Sequence, residues 1–314
     1  MTDHRGLIEA RISEWCAALP DTGLYAPMAY LMRLPAKRVR PALALMACEL
    51  FGGKAEQVLD EAIGIELFHN FTLMHDDIMD ASPLRRGMPT VHEKWDVNNA
   101  ILSGDAMLVK AYQLMAADPE GLKIFSGYAL AVCEGQQRDM DFERRADVSL
   151  ADYREMIRLK TAVLLSCALR IGALRAGANA ADQERIGAFG EHLGLAFQLR
   201  DDLLDAFGDP AATGKRRGGD LRNGKKTWLL IRALECETDT GGGVLRTELA
   251  RPFAERNVHV MIERLHQLGV EREATNEILQ LETTAFAQLQ AITVPDARKQ
   301  PLRALAHMLQ ARTS

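Results

Sequence analysis

Phe71-Thr72-Leu73-Met74-His75-Asp76-Asp77-Ile78-Met79-Asp80 ends an apolar stretch on three carboxylates. Upstream of it Ile63, Leu67, Phe71 and Met74 recur every three to four residues, the period of a helix with one buried face. The pattern predicts a helix over 55–80. Asp76 and Asp80 are four residues apart, so they share a face, about 6 Å apart along the axis. Asp201-Asp202-Leu203-Leu204-Asp205 repeats the spacing on a second apolar helix, with Gln198 one turn earlier. Clustered carboxylates repel one another, and at a helix C-terminus they meet the unfavourable end of the dipole. Cations between them would remove that cost. Hard oxygen donors suit Mg²⁺, which often bridges protein carboxylates to substrate phosphates. A solvated acidic face would explain one such cluster, but two, each embedded in apolar helix, point to metal. His75, beside Asp76, reads as a hydrogen-bonded core histidine rather than a ligand.

The same helical period extends along the chain. Helices are expected near 5–19, 23–33, 38–51, 55–80, 96–116, 119–143, 149–177, 181–207, 225–235, 243–252, 254–269, 272–291 and 298–312. Strand-like alternation is hard to find, and Leu, Ala, Met, Glu and Arg, good helix formers, dominate. The segment 81–89, with two prolines and a glycine, reads as a loop. The segment 208–224, with five glycines, reads as a long surface loop of the kind usually kept for function. The segment 239–243 reads as a flexible connection, not a domain boundary. The expectation is one domain over 1–314, all-α.

Bulk properties narrow the function. The 314 residues are 47% hydrophobic and 26% charged, with a net charge of −5, which disfavours a nucleic-acid binder. The five cysteines, Cys16, Cys48, Cys133, Cys167 and Cys236, are scattered without a CxxC pair, as in a reduced cytoplasmic protein. No apolar run is long enough for stable membrane insertion, and the N-terminus lacks an apolar signal core.

Basic residues surround both acidic clusters. Arg85, Arg86 and Gly87 follow the first; Lys37-Arg38-Val39-Arg40-Pro41 precedes it. Lys215, Lys225 and Lys226 follow the second. Lys160 sits beside an apolar run and needs an anionic partner there. Neither a GxxxxGK[ST] loop nor a GxSxG elbow is present.

Taken together, these residues resemble the trans-isoprenyl (polyprenyl) diphosphate synthase family over residues 30–230. Asp76-Asp77-x-x-Asp80 with Arg85-Arg86-Gly87 is similar to its first aspartate-rich motif, and Gln198-x-x-Asp201-Asp202-x-x-Asp205 to its second. Gly135-Gln136-x-x-Asp139, Lys160-Thr161, Gly214-Lys215, Asp220 and Gly224-Lys225-Lys226-Thr227 resemble the segments between and after them. One feature departs: Pro35-Ala36 stand where the family usually has Gly-Gly before its lysine. Proline offers no N–H, so the homoallylic pocket is expected to be altered but retained.

The resemblance implies a large antiparallel helical bundle around a central cavity, in a homodimer, joining isopentenyl diphosphate to an allylic diphosphate (dimethylallyl, geranyl or farnesyl) with Mg²⁺. Asp76, Asp80 and Asp201 would bind the metal, with Asp77, Asp202 and Asp205 as further or water-mediated ligands. Arg85, Lys160 and Lys215 would bind the allylic diphosphate, and Lys37, Arg40, His69 and Arg86 isopentenyl diphosphate. Thr161, Gln198 and Lys225 would shield the carbocation or contact the leaving diphosphate. In this family a bulky aromatic five residues before the first motif floors the product cavity. Phe71 occupies that position, Phe68 lies one turn behind it, and Thr72 beside it is small. That implies a product of fifteen to twenty carbons, geranylgeranyl ahead of farnesyl diphosphate. The rivals are a terpene cyclase on the same fold and a non-catalytic regulatory subunit. The intact second motif disfavours both.

Overall fold

The computed structural model describes residues 3–209, 217–240 and 243–310. The chain runs through α1 (His4–Ala17), α2 (Ala26–Arg33), α3 (Val39–Leu50), α4 (Leu59–Met79), α5 (Val91–Lys94), α6 (Val97–Met115), α7 (Pro119–Arg144) and α8 (Leu150–Ile157). A π turn (Arg158–Ala162) joins α8 to α9 (Val163–Arg175). Next come α10 (Ala180–Phe207), α11 (Gly219–Asn223), α12 (Trp228–Thr240), α13 (Val244–Leu249), α14 (Val258–Gln267), α15 (Val270–Ala291) and α16 (Asp296–Gln310).

Local chemistry sets several of these starts. Asp96 accepts from the Asn99 amide and opens α6. Ser149 and Asp152 cap each other's backbone amides and open α8, a capping box.

The structure differs from the sequence expectation at several places, α5 among them, which no expected helix covers. The helix expected over 149–177 is interrupted by the π turn. The expected loop over 81–89 contains a two-residue antiparallel ladder, Leu84–Arg85 against Met88–Pro89. Its turn uses positive φ at Arg86 (54°) and Gly87 (76°), the geometry that closes tight hairpins. Part of the expected loop at 208–224 is helical (α11), while Gly214 and Lys215 lie outside the described residues. Finally α12 continues to Thr240, into the segment read as a connection, of which Gly241 and Gly242 lie outside the described residues.

Two compact units are present. The first comprises Met1–Ala129, Cys167–Gly187 and Thr293–Lys299; the second comprises Leu130–Ser166, Ala188–Ile292 and Gln300–Ser314. In the first, α4 packs on α3 and α6. Leu43, Leu45, Ile63, Phe68 and Phe125 are at most 1% exposed there. In the second, α12 packs on α14 and α15, around Leu230, Met261, Leu265 and Val270. Among the described residues no helix is long and apolar enough to cross a membrane.

Candidate active site

In the first unit α4 carries Asp76, Asp77 and, as its C-cap, Asp80. The three are not equivalent. Asp80 is exposed, Asp76 half-buried, and Asp77 buried at 2% exposure. Both Asp77 oxygens accept from Arg85: Nε lies 2.9 and 2.8 Å from Oδ1 and Oδ2, and Nη2 lies 2.6 Å from Oδ1. The hairpin at 84–89 thus delivers Arg85 to a carboxylate that holds it by its planar edge. Asp77 serves first as the anchor of that guanidinium, where the resemblance gave it to metal. His75 Nε2 lies 3.1 Å from the Ile101 carbonyl, as expected of a packed histidine.

A basic cluster lies in the same unit. Arg40 Nη1 is 3.0 Å from His69 Nε2. Arginine can only donate, so that imidazole nitrogen accepts and the ring is neutral. Burial, reinforced by the charges of Arg40, Arg86, Arg85 and Arg38, holds His69 well below its ordinary pKa. Burial lowers Arg40 to about 10, against the opposing pull of Glu66. Arg86, although largely exposed, is lowered as well, by partial desolvation and the neighbouring charges of Arg38 and Arg85. Arg40 Nε is buried without a hydrogen-bond partner among the described residues. Cations lowered by burial and a buried donor without an acceptor are what an anion would satisfy.

Arg38, two residues from Arg40, does something else. It is 3% exposed and donates to Glu66 (2.9 Å), Glu9 (3.0 Å) and the Met32 carbonyl. It also takes the left-handed conformation (φ 49°) that starts α3. Pro35 and Ala36 have no positive φ, so glycine is not required at either by backbone geometry. Lys37 is exposed.

The second unit holds the other half of the motif set. A cavity of about 50 Å³ is lined by Asp139, Tyr153, Lys160, Thr161, Gln198 and Asp202, with Lys225 and Thr227 beside them. Lys160 Nζ donates to Asp139 Oδ2 at 2.6 Å, the anionic partner its apolar setting demanded. Thr161 Oγ1 donates to Gln198 Oε1 (3.3 Å), and Gln198 Nε2 to Asp202 Oδ1 (3.2 Å). Tyr153 donates to Asp202 Oδ2. Asp202 is 5% exposed, and burial raises it to about 7 although the Tyr153 hydrogen bond pulls the other way. Asp205 Oδ2 accepts from the Asp220 amide (2.9 Å), tying α10 to the start of α11. Asp202 and Asp205 therefore have structural partners of their own, Tyr153 and Gln198 for the first and the Asp220 amide for the second.

The π turn positions Lys160 and Thr161. It holds one more residue per turn than an α-helix, which rotates the downstream residues and brings both side chains to the cavity. Two neighbouring helices approach it too closely for a side chain. A Cβ on Gly135 of α7 would stand 2.3 Å from the Lys160 amide nitrogen, and one on Gly194 of α10 2.6 Å from Ala162 Cα. Gly135→Ala is expected to cost about 1–3 kcal/mol of stability by overpacking. It should also shift the Lys160 ammonium away from Asp139, because the displaced atom belongs to Lys160. Thermal melts check the first and a crystal structure of the variant the second.

Sequence reasoning missed Tyr153, Glu66 and the buried role of Arg38. Tyr153 lies seven residues before Lys160, a same-face spacing that is a usable signal. Nothing local distinguishes Arg38 from Arg40.

A family model described as polyprenyl synthetase matches residues 21–265. The geranylgeranyl diphosphate synthase of Methanosarcina mazei is 40% identical over 235 residues, covering 73% of this chain and 72% of its own. The geranylfarnesyl diphosphate synthase of Aeropyrum pernix is 40% identical over 241 residues, covering 73% and 76%. A crystal structure of a geranylgeranyl pyrophosphate synthase matches with a TM-score of 0.93 and 41% identity, over 100% of both chains. The chain belongs to the polyprenyl synthetase family and has the all-α isoprenoid synthase fold. Within that family it is a prenyltransferase of the short-chain prenyl diphosphate synthase class, and neither the cyclase nor the regulatory-subunit reading is favoured.

Proposed function

We propose that the enzyme, acting as one catalytic domain, condenses isopentenyl diphosphate with an allylic diphosphate to give geranylgeranyl diphosphate, with farnesyl diphosphate the second choice. The observation that carries this is the cluster of Arg40, Arg85 and Arg86 around a neutral His69, a subsite for a second anionic substrate that a cyclase would not need.

The acidic residues fit Mg²⁺. Asp76 and Asp80 place hard oxygens at the unfavourable end of the α4 dipole, and among the described residues no ion pair reaches Asp80. Among those residues no three His, Cys, Asp or Glu side chains close on one point. Mg²⁺ characteristically uses one or two protein carboxylates plus substrate phosphate. Asp76, Asp80 and Asp201 would hold it, and when bound it neutralises charge on the leaving diphosphate.

The chain's own groups do the rest. Arg85, aimed by Asp77, and Lys160, aimed by Asp139, would take the allylic diphosphate, with Lys215 as a third cation. When the allylic C–O bond breaks, its electron pair leaves with the diphosphate. The double bond of isopentenyl diphosphate, held by Lys37, Arg40, His69 and Arg86, then attacks the cation. The released diphosphate can accept the proton that is lost. Thr161 and Gln198 would present oxygens toward the cation, with Lys225 near the leaving group, and exclusion of water decides between coupling and hydrolysis.

Phe71 is 9% exposed, and its ring centroid lies 5.6 Å from that of Phe68, which in turn meets Phe125 edge-on at 5.4 Å. This stack supports Phe71 as the cavity floor. Thr72 turns its hydroxyl onto the His69 carbonyl (2.8 Å) and adds no bulk. Phe71→Ala is expected to lengthen the product by at least one five-carbon unit. Chromatography of dephosphorylated products reads this directly, and an unchanged distribution would count against the floor.

A homodimer is supported by α6, where Leu102 (60% exposed) and Val109 (56%) lie seven residues apart on one face. The cysteines are free thiols, which suits the cytoplasm. The deciding experiment supplies Mg²⁺, labelled isopentenyl diphosphate and each allylic starter separately. One dominant product of fifteen or twenty carbons supports the proposal, and no incorporation with any starter refutes it.

A further inference from the structure

Four side chains of the second unit form one hydrogen-bonded chain. The Tyr153 hydroxyl, on a residue 2% exposed in α8, donates to Asp202 Oδ2. Asp202 Oδ1 accepts from Gln198 Nε2 at 3.2 Å, and Gln198 Oε1 accepts from Thr161 Oγ1 at 3.3 Å. The chain leaves α8, crosses α10 and returns to the π turn. It has a direction. With Asp202 accepting on both oxygens, the amide NH₂ of Gln198 is committed to it, and the amide carbonyl must point the other way, to Thr161. A carbonyl and a hydroxyl oxygen are thereby fixed together at the cavity wall.

We propose that Tyr153 is a positioning residue: its hydroxyl pins Asp202, and through it the orientation of Gln198 and Thr161 that protects the allylic cation from water. This rests on the synthase reading above. Tyr153 touches no reacting atom. Its ring packs in the core of the second unit, so only the hydroxyl is available for this role. Without the hydroxyl, a buried carboxylate loses one of its two donors and is free to rotate, and the Gln198 amide loses the constraint on its orientation. The glycine contacts at 135 and 194 hold the backbone of the π turn, so Tyr153 governs the side chains on a turn whose backbone is set independently.

The test is Tyr153→Phe, which keeps the ring and removes the oxygen. Purified enzyme is given allylic and isopentenyl diphosphates, and both condensation product and hydrolysed allylic alcohol are measured. The expected result is a fall in kcat of about tenfold or more, the loss of a hydrogen bond to a charged group. The hydrolysed share should rise several-fold, with KM for isopentenyl diphosphate unchanged. A merely structural role would lower active enzyme without moving that share. The second readout is a double-mutant cycle with Asp202→Asn. If Tyr153 acts through Asp202, removing the hydroxyl has no further effect on the share in the Asn background. Should Tyr153→Phe fail to fold, Tyr153→Leu, which also lacks the hydroxyl, enters the same cycle with the same expectation. An unchanged hydrolysed share, or effects that add fully in the cycle, overturns the inference while leaving the synthase reading intact. Wild-type enzyme that condenses nothing overturns both.

Discussion

Asp76→Ala is expected to lower kcat by about a thousandfold, or about 4 kcal/mol of transition-state stabilisation. The leaving group is a diphosphate whose charge increases as the C–O bond breaks, so a lost metal ligand is felt most in the transition state. The effect should fall on kcat and on the Mg²⁺ concentration for half-activation, with KM for isopentenyl diphosphate little changed, because that substrate is assigned to the cluster around His69. Stability should move differently. A carboxylate at the C-terminal end of α4 opposes the helix dipole and its acidic neighbours, so Tm is expected to move far less than kcat. Asp77→Asn is the control. Asp77 is held by Arg85 through both oxygens, and its loss should raise KM for the allylic substrate through a misplaced guanidinium. A kcat for Asp76→Ala within tenfold of wild type would remove Asp76 from the metal set.

Arg38→Leu and Arg40→Leu, two residues apart, are expected to fail in opposite ways. Arg38 is buried between Glu66, itself 2% exposed, and Glu9. Removing one partner of a buried ion pair leaves the other uncompensated, at a cost of about 3–5 kcal/mol. Arg38→Leu should therefore lower Tm by many degrees or fail to fold. Arg40 is half-buried and desolvated, between the opposing charges of Glu66 and Arg86, with a buried Nε that lacks a partner among the described residues. Leucine there relieves an unfavourable charge, so stability should hold or rise. The loss falls instead on isopentenyl diphosphate, as a rise of about 10- to 100-fold in its KM, the worth of charge-assisted hydrogen bonds. Equal losses of Tm in the two variants would contradict this division of labour.

The sequence by itself determined the helices and the kind of chemistry. Helical period and capping are local properties: Ile63, Leu67, Phe71 and Met74 define the buried side of α4, and Ser149 with Asp152 opens α8, whatever lies elsewhere in the chain. Two DDxxD clusters with surrounding lysines and arginines likewise announce a metal and a diphosphate from residue type and spacing alone. Tertiary structure decided which member of each cluster does which job. Arg38 is locked into a buried ion pair and Arg40 is not, because one meets Glu66, 28 positions away, and the other His69, 29 positions away. Asp77 was drawn to Arg85 by a hairpin that needed positive φ at Arg86, and Asp202 to Tyr153, 49 residues distant. The π turn also lay beyond the local pattern, since the apolar period runs through 158–162 and the close approach of Gly135 and Gly194 comes from other helices. A charged side chain's role depends on what surrounds it when buried, and those surroundings are assembled by long-range packing that no local window contains.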